Sequence, residues 1–157
     1  MKDVLILGIG DVVLNDAGVG VHIIHLLRTI GVPDEVELVD GGLGGALLPL
    51  LQHEYKQLIV VDAMVGEGPV GIVRRLSPSQ LPHSSLLMSS HEPGVHEFIR
   101  SLQQQEPAPQ IDMLAISVGQ SSEQGVQLSP EIRRVVPQVL QLIYEILEDA
   151  RHLRYFR

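Results

Sequence analysis

The chain has 157 residues, a single-domain length, and its 45% apolar content is enough for a core, which excludes wholesale disorder. Eleven Lys plus Arg against nineteen Asp plus Glu leave a net charge of −8, which argues against nucleic acid or an anionic membrane as partner. No cysteine occurs, so disulfides, thiolate nucleophiles, iron–sulfur clusters and Cys-based zinc sites are excluded, and a cytoplasmic protein is expected. Apolar runs such as Leu58–Val61 are too short to span a membrane, and MKDVLILGIG lacks the pattern of a signal peptide.

Val4 to Ile9 is a continuous apolar run, as expected of a strand covered on both faces, and Gly8 and Gly10 punctuate it. From about Asp16 to Ile30, Val19, Ile23, Leu26, Leu27 and Ile30 fall on one helix face, with Gly31 as the stop. A second strand covers Val36 to Val39 and ends at Asp40-Gly41-Gly42. A short helix is expected over Leu43 to Gln52. The third strand, Gln57 to Ala63, is the most apolar and ends at Asp62-Ala63-Met64. After a turn at Gly66-Glu67-Gly68-Pro69 comes a fourth strand, Gly71 to Leu76, then a loop from Ser77 to Ser90. A helix from about Pro93 to Gln104 places Val95, Ile99 and Leu102 on one face. The fifth strand is Ile111 to Val118. Ser129-Pro130 opens a last helix running to about Ala150, with Pro137 inside it as a kink or a tighter first turn. Strands alternating with helices predict one α/β domain over 1–157, a three-layer α/β/α sandwich around a five-stranded, mostly parallel, twisted sheet.

In such sheets ligands bind beyond the carboxyl ends of the strands, where strand order reverses. Polar residues collect there: Asp11, Asn15 and Asp16 after the first strand, Asp40 after the second, Asp62 after the third. His91 lies just before a helix. If the second and third strands flank the first, Asp16 and Asp62 face the crevice. Carboxylates with one imidazole suit a borderline divalent metal. Taken singly, Asp16 also reads as a helix cap, Asp40 as a turn residue and His91 as a loop residue. An acid directly after Leu58-Ile59-Val60-Val61 has no such packing explanation.

Other motifs fail on spacing. Gly8-Ile9-Gly10 lacks the third glycine of a dinucleotide-binding loop, where Val13 stands. His91-Glu92 is followed by His96, one residue too far for the H-E-x-x-H zinc motif. His22 and His25 share a helix side and read either as metal ligands or as boundary residues. Ser117, Ser121 and Ser122 lack the G-x-S-x-G elbow. The basic tail Arg151 to Arg157 reads as a frayed terminus.

Taken in series, Gly8-x-Gly10, Asp16-x-Gly18-x-Gly20, Asp40-Gly41-Gly42, Val61-Asp62-Ala63, Ser90-His91-x-x-Gly94 and Leu128-Ser129-Pro130 resemble the nickel–iron hydrogenase maturation endopeptidases over nearly the whole chain. The resemblance implies a protease that removes the C-terminal extension of the hydrogenase large-subunit precursor once nickel is inserted. It also implies that the nickel, supplied by the substrate and replaceable by zinc or cadmium, is what the protease recognises. Of the family's three metal-binding side chains, two map onto Asp62 and His91. The third position, the second acid of the first loop, is Ala17 here, which has no donor atom. Asp11 and Leu43 also depart from the family's usual asparagine and threonine.

The resemblance thus implies an endopeptidase in which Asp62 and His91 share nickel with the precursor's own ligands, beside the scissile bond. A water activated by the metal or by a carboxylate then attacks the peptide carbonyl, with Asp16 and Asp40 as supporting acids. Loss of the ligand at Ala17 leaves other readings open. Asp16 or a water substitutes for it, or the protein binds nickel-loaded precursor without cutting, or it is inactivated by substitution there. A small-molecule enzyme of nucleotide-binding type is a further reading, opposed by the missing glycine.

Overall fold

Six successive buried residues, Val4–Ile9, form strand β1, whose side chains alternate between two separate apolar layers. The computed structural model describes residues 2–45, 47–65, 68–80, 92–119 and 123–155. Around β1 are arranged a 3-10 turn (Asn15–Gly18), helix α1 (Val19–Ile30), strand β2 (Val36–Gly42), a 3-10 turn (Leu48–Gln52), strands β3 (Gln57–Val65) and β4 (Val73–Leu76), a 3-10 turn (Pro78–Gln80), helix α2 (Pro93–Gln103), strand β5 (Gln110–Val118) and helix α3 (Pro130–Tyr155). The sheet order is β2-β1-β3-β5-β4, with β4 alone antiparallel, paired to β5. Strand order reverses between β1 and β3, as expected.

The two faces are covered by different helices. Val4, Ile6, Ile59, Val61, Leu114 and Ile116 pack with α1 and α3. Leu5, Leu7, Leu58, Val60, Met64 and Met113 pack with α2 and with Leu47 and Tyr55. This is the expected three-layer α/β/α arrangement.

Four expectations change in detail. Leu43 to Gln52 is not one helix. Gly44 adopts φ +91 and only Leu48–Gln52 turns, as a 3-10 segment. In α1 the buried residues are Val19, Gly20, Val21, Ile23, Ile24 and Leu27, whereas Leu26 and Ile30 are exposed. The helix meets the sheet closely at its first turn, so the buried arc widens there. Strand β3 continues past Ala63 to Val65, because β5 pairs with it that far. Helix α3 runs on through Pro137 to Tyr155.

The amino ends of the strands carry their own polar fastening. Asp112, nearly buried, accepts a 2.9 Å bond from Arg75 Nε of β4 and a 3.3 Å bond from Gln110 Nε2. This pair ties the antiparallel edge strand to its neighbour at the end remote from the carboxyl rim.

The first turn of α1 touches the sheet backbone. A Cβ on Gly20 would lie 2.2 Å from the Val61 carbonyl oxygen and 2.4 Å from that of Ile9; one on Gly8 would lie 2.4 Å from the Gly20 carbonyl oxygen. Alanine has the higher helix propensity by about 1 kcal/mol, but here the backbone must separate to admit it, at a cost of about 1–3 kcal/mol. Gly20→Ala is therefore expected to destabilise the fold despite its propensity, and urea unfolding measures the sign.

Candidate functional site

Asp62 is the one carboxylate wholly buried in the sheet among the described residues, with 0% exposure. Its position follows from register. Pairing of β1 with β3 stops at Gly8 opposite Val61, so Asp62 is the first β3 residue beyond it. On its other side it still pairs, opposite Ala115. Alternation along β3 places Asp62 with Leu58, Val60 and Met64, on the face that α2 covers.

The start of α2 is held at the same rim by two glycines. A Cβ on Gly94 would lie 2.6 Å from the Gly44 carbonyl oxygen, and one on Gly44 would lie 2.8 Å from Val95 Cγ2. The glycine of the Ser90-His91-x-x-Gly94 segment is therefore a packing requirement, set by the loop after β2. His91 itself lies outside the described residues, as do Gly66, Glu67, Ser121, Ser122 and residues 81–90 of the expected loop. The expected Asp62–His91 pair therefore has one member placed.

The remaining acids separate. Asp40 shares the register face of Val36 and Leu38, which belong to the α1 layer, so it stands on the opposite side of the sheet from Asp62. Its Oδ1 accepts from the Gly42 N–H at 3.0 Å and its Oδ2 lies 3.1 Å from His25 Nε2. That geometry joins the β2 turn to α1. Asp11 Oδ1 accepts from the Val13 N–H at 3.1 Å, closing a turn.

Asp16 and Ala17 occupy the Asn15–Gly18 turn, which packs against β3. Asp16 Oδ1 accepts from the Ser129 N–H at 2.7 Å, at the mouth of α3. Asn15, with φ +51, fastens the same junction. Its backbone N–H donates to the Gly125 carbonyl at 2.8 Å, its Nδ2 to the Glu123 carbonyl at 3.3 Å, and its Oδ1 accepts from the Gln127 N–H at 3.2 Å. Sequence reading missed this junction, although Asn15 was visible as a residue that tolerates positive φ.

His22 and His25 line an open cleft of about 460 Å³ with Leu26, Thr29, Gln127, Leu128 and Arg133, on the α1–α3 side of the fold. Among the described residues no group of three or more acids and histidines is placed to hold a metal ion, so this pair has no third donor. Ser117 is also accounted for: its Oγ donates to the Pro69 carbonyl and accepts from the Ile72 N–H, each at 2.7 Å, which pins the connection from β3 to β4.

The family model described as hydrogenase maturation protease matches residues 21–146. This chain belongs to that family. It is 26% identical to the hydrogenase 2 maturation protease of Escherichia coli (strain K12) over 150 residues, 94% of this chain and 92% of that one. It is 31% identical to a putative hydrogenase maturation protease of Methanocaldococcus jannaschii over 104 residues, 64% of this chain and 68% of the relative. Its fold superposes on the hydrogenase maturating endopeptidase of Escherichia coli with a TM-score of 0.79 at 25% identity, covering 96% of this chain and 94% of the other. For a maturation protease of Thermococcus kodakarensis, 20% identical, the TM-score is 0.74 over 93% and 99% of the two chains, a likeness of fold. No helix among the described residues of this family member is long and apolar enough to cross a membrane.

Burial lowers the pKa of His22 below its ordinary 6.5, and the nearby His25 adds to the effect while Asp16 opposes it. As pH falls through 6.5 the unfolded chain takes up a proton at this position before the folded one, so stability present above 6.5 declines below it. His22→Gln is expected to flatten that decline. Denaturant midpoints between pH 8 and pH 5 measure it.

Proposed function

We propose that this protein is an endopeptidase that removes the C-terminal extension of a nickel–iron hydrogenase large-subunit precursor after nickel insertion. The observation that carries the reading is Asp62: a fully buried carboxylate at the point where β1 leaves β3, on the face whose helix begins two residues after His91. Burial of a charge is costly, so an acid at this place is not a packing choice. The nickel of the precursor is treated as part of the substrate. Its donor requirements fit a carboxylate oxygen and an imidazole nitrogen, which Asp62 and His91 supply, with zinc or cadmium able to take the same donors.

Within this reading Asp62 orients the metal-bearing end of the precursor against the carboxyl rim, so that the scissile bond lies beside it. Bound nickel supplies Lewis-acid polarisation. Asp40 has no part in that site, because it stands across the sheet and is engaged with His25 and Gly42. The chemistry calls for neither a thiolate nor a serine elbow, so serine- and cysteine-directed inhibitors are expected to leave processing intact.

Ala17 favours a second reading, in which the protein binds the nickel-loaded precursor without cutting it. Position 17 lies in the turn that packs on β3, and its methyl group donates nothing to a metal. One experiment addresses both readings. Nickel-loaded and nickel-free precursors are incubated with the purified protein and followed by mass. Loss of the extension from the loaded form alone supports the protease; a stable complex with no mass loss supports the binder. Cleavage of nickel-free precursor or of unrelated denatured proteins contradicts both.

The same geometry makes Ala17→Glu a gain-of-function prediction. A third donor raises the charge and the coordination number offered to a divalent ion, so calorimetric titration with nickel, zinc or cadmium should show tighter binding, and precursor processing should rise. Equal affinity and equal processing would show that position 17 does not face the ion.

A further inference from the structure

Helix α3 begins with an incomplete cap. Ser129 is its N-cap: its Oγ accepts from the Ile132 N–H at 3.4 Å, and its carbonyl accepts the first helical bond, from Arg133 N–H at 2.9 Å. In the usual reciprocal cap, a Glu or Gln three residues into the helix turns back to accept the N–H of the capping residue. That position here is Ile132, which has no acceptor. The Ser129 N–H donates instead to Asp16 Oδ1 at 2.7 Å, from a residue 113 positions earlier in the chain. Negative charge at this place also complements the positive end of the 26-residue helix.

The contact is one of several that fasten the same two segments. Leu14 forms a parallel bridge with Gly125, the Gly125 N–H donates to the Val13 carbonyl at 2.8 Å, and Asn15 spans from Glu123 to Gln127. A Cβ on Gly125 would lie 2.2 Å from Asn15 Oδ1, so the segment closes on the asparagine side chain without spare room. The fastened turn carries position 17 and packs on β3.

From this geometry we infer that Asp16 is a positioning residue: it completes the cap of α3 from a distance and thereby holds the first loop, with position 17, against β3; its carboxylate is not a metal donor. The bearing of this on processing rests on the function proposed above. The cap itself does not.

The test exploits the fact that asparagine keeps the Oδ1 acceptor and loses the charge that a metal ligand needs. Three readouts are compared for wild type, Asp16→Asn and Asp16→Ala: amide hydrogen exchange at Ser129, precursor processing, and affinity for nickel or cadmium by calorimetry in the Ala17→Glu background. Asp16→Ala is expected to speed Ser129 exchange and weaken metal binding by about ten-fold or more, as for loss of a bond to a charged group. Asp16→Asn keeps a neutral acceptor, so Ser129 should stay protected and processing and metal affinity should return to within about five-fold of wild type, the difference between a charged and a neutral hydrogen bond. A ten-fold loss of metal affinity in Asp16→Asn, with Ser129 still protected, would make Asp16 a ligand and overturn the inference. Unchanged Ser129 exchange in Asp16→Ala would overturn the cap. If Asp16→Ala does not fold, the Asp16→Asn comparison decides alone. If no variant, wild type included, processes nickel-loaded precursor, the proposed function fails while the exchange result stands on its own.

Discussion

Between Gly20 and the two central strands there is no space for a methyl group, and the same holds between Gly8 and the Gly20 carbonyl. Helix α1 can therefore meet the sheet backbone to backbone, closer than side chains would allow. This contact sets the height of the turn Asn15–Gly18 above β3, and with it the distance from the first loop to Asp62. The glycines that superficially suggest a phosphate cradle after β1 serve this approach. A second contact of the same kind, Gly44 against Gly94, sets the start of α2 at the rim. Two glycine pairs thus bring the first turn of α1 and the start of α2 close against the backbone at the end of the sheet where Asp62 stands.

The architecture was legible because its signals are redundant. Continuous apolar runs of strand length, helical periodicity and Ser129-Pro130 all agree on alternating strands and helices. The carboxyl-end location of Asp62 was equally legible, since an acid closing the run Leu58 to Val61 breaks the pattern. What was not legible is which face each acid takes. Asp40 and Asp62 both follow apolar strand runs in the sequence, yet strand register turns Asp40 toward α1 and Asp62 toward α2. Only the pairing partners fix that parity, and sequence spacing carries no record of them. The same gap explains Leu43 to Gln52. Its apolar residues suggested a helix, but Gly44 is held at positive φ by its contact with α2, a tertiary demand that overrides propensity. The cap given to Ser129 by Asp16 lies beyond any local window for the same reason.

Acidic residues in this chain divide their work according to layer. Asp112 of β5 holds the edge strand β4 through Arg75, at the end remote from the carboxyl rim. Asp40 joins β2 to α1. Asp16 meets the Ser129 amide, and among the described residues Asp62 alone is buried within the sheet at its carboxyl end. A list of acids at strand ends therefore overstates the size of a candidate centre, since most of these carboxylates already have neighbours that account for them.

The division also bears on why two adjacent acids would be useful in the first loop. Residues 16 and 17 lie in a 3-10 turn, where successive side chains diverge by about 120°. They cannot point the same way. Asp16 is directed to the start of α3, and its neighbour in this chain is Ala17, which carries no donor. Moving Asp16 toward β3 would release the Ser129 N–H and loosen the clasp that holds the turn in place. The fold therefore opposes a shift of Asp16 toward β3, and under the function proposed above a donor in place of the residue 17 side chain would come from the precursor or from water.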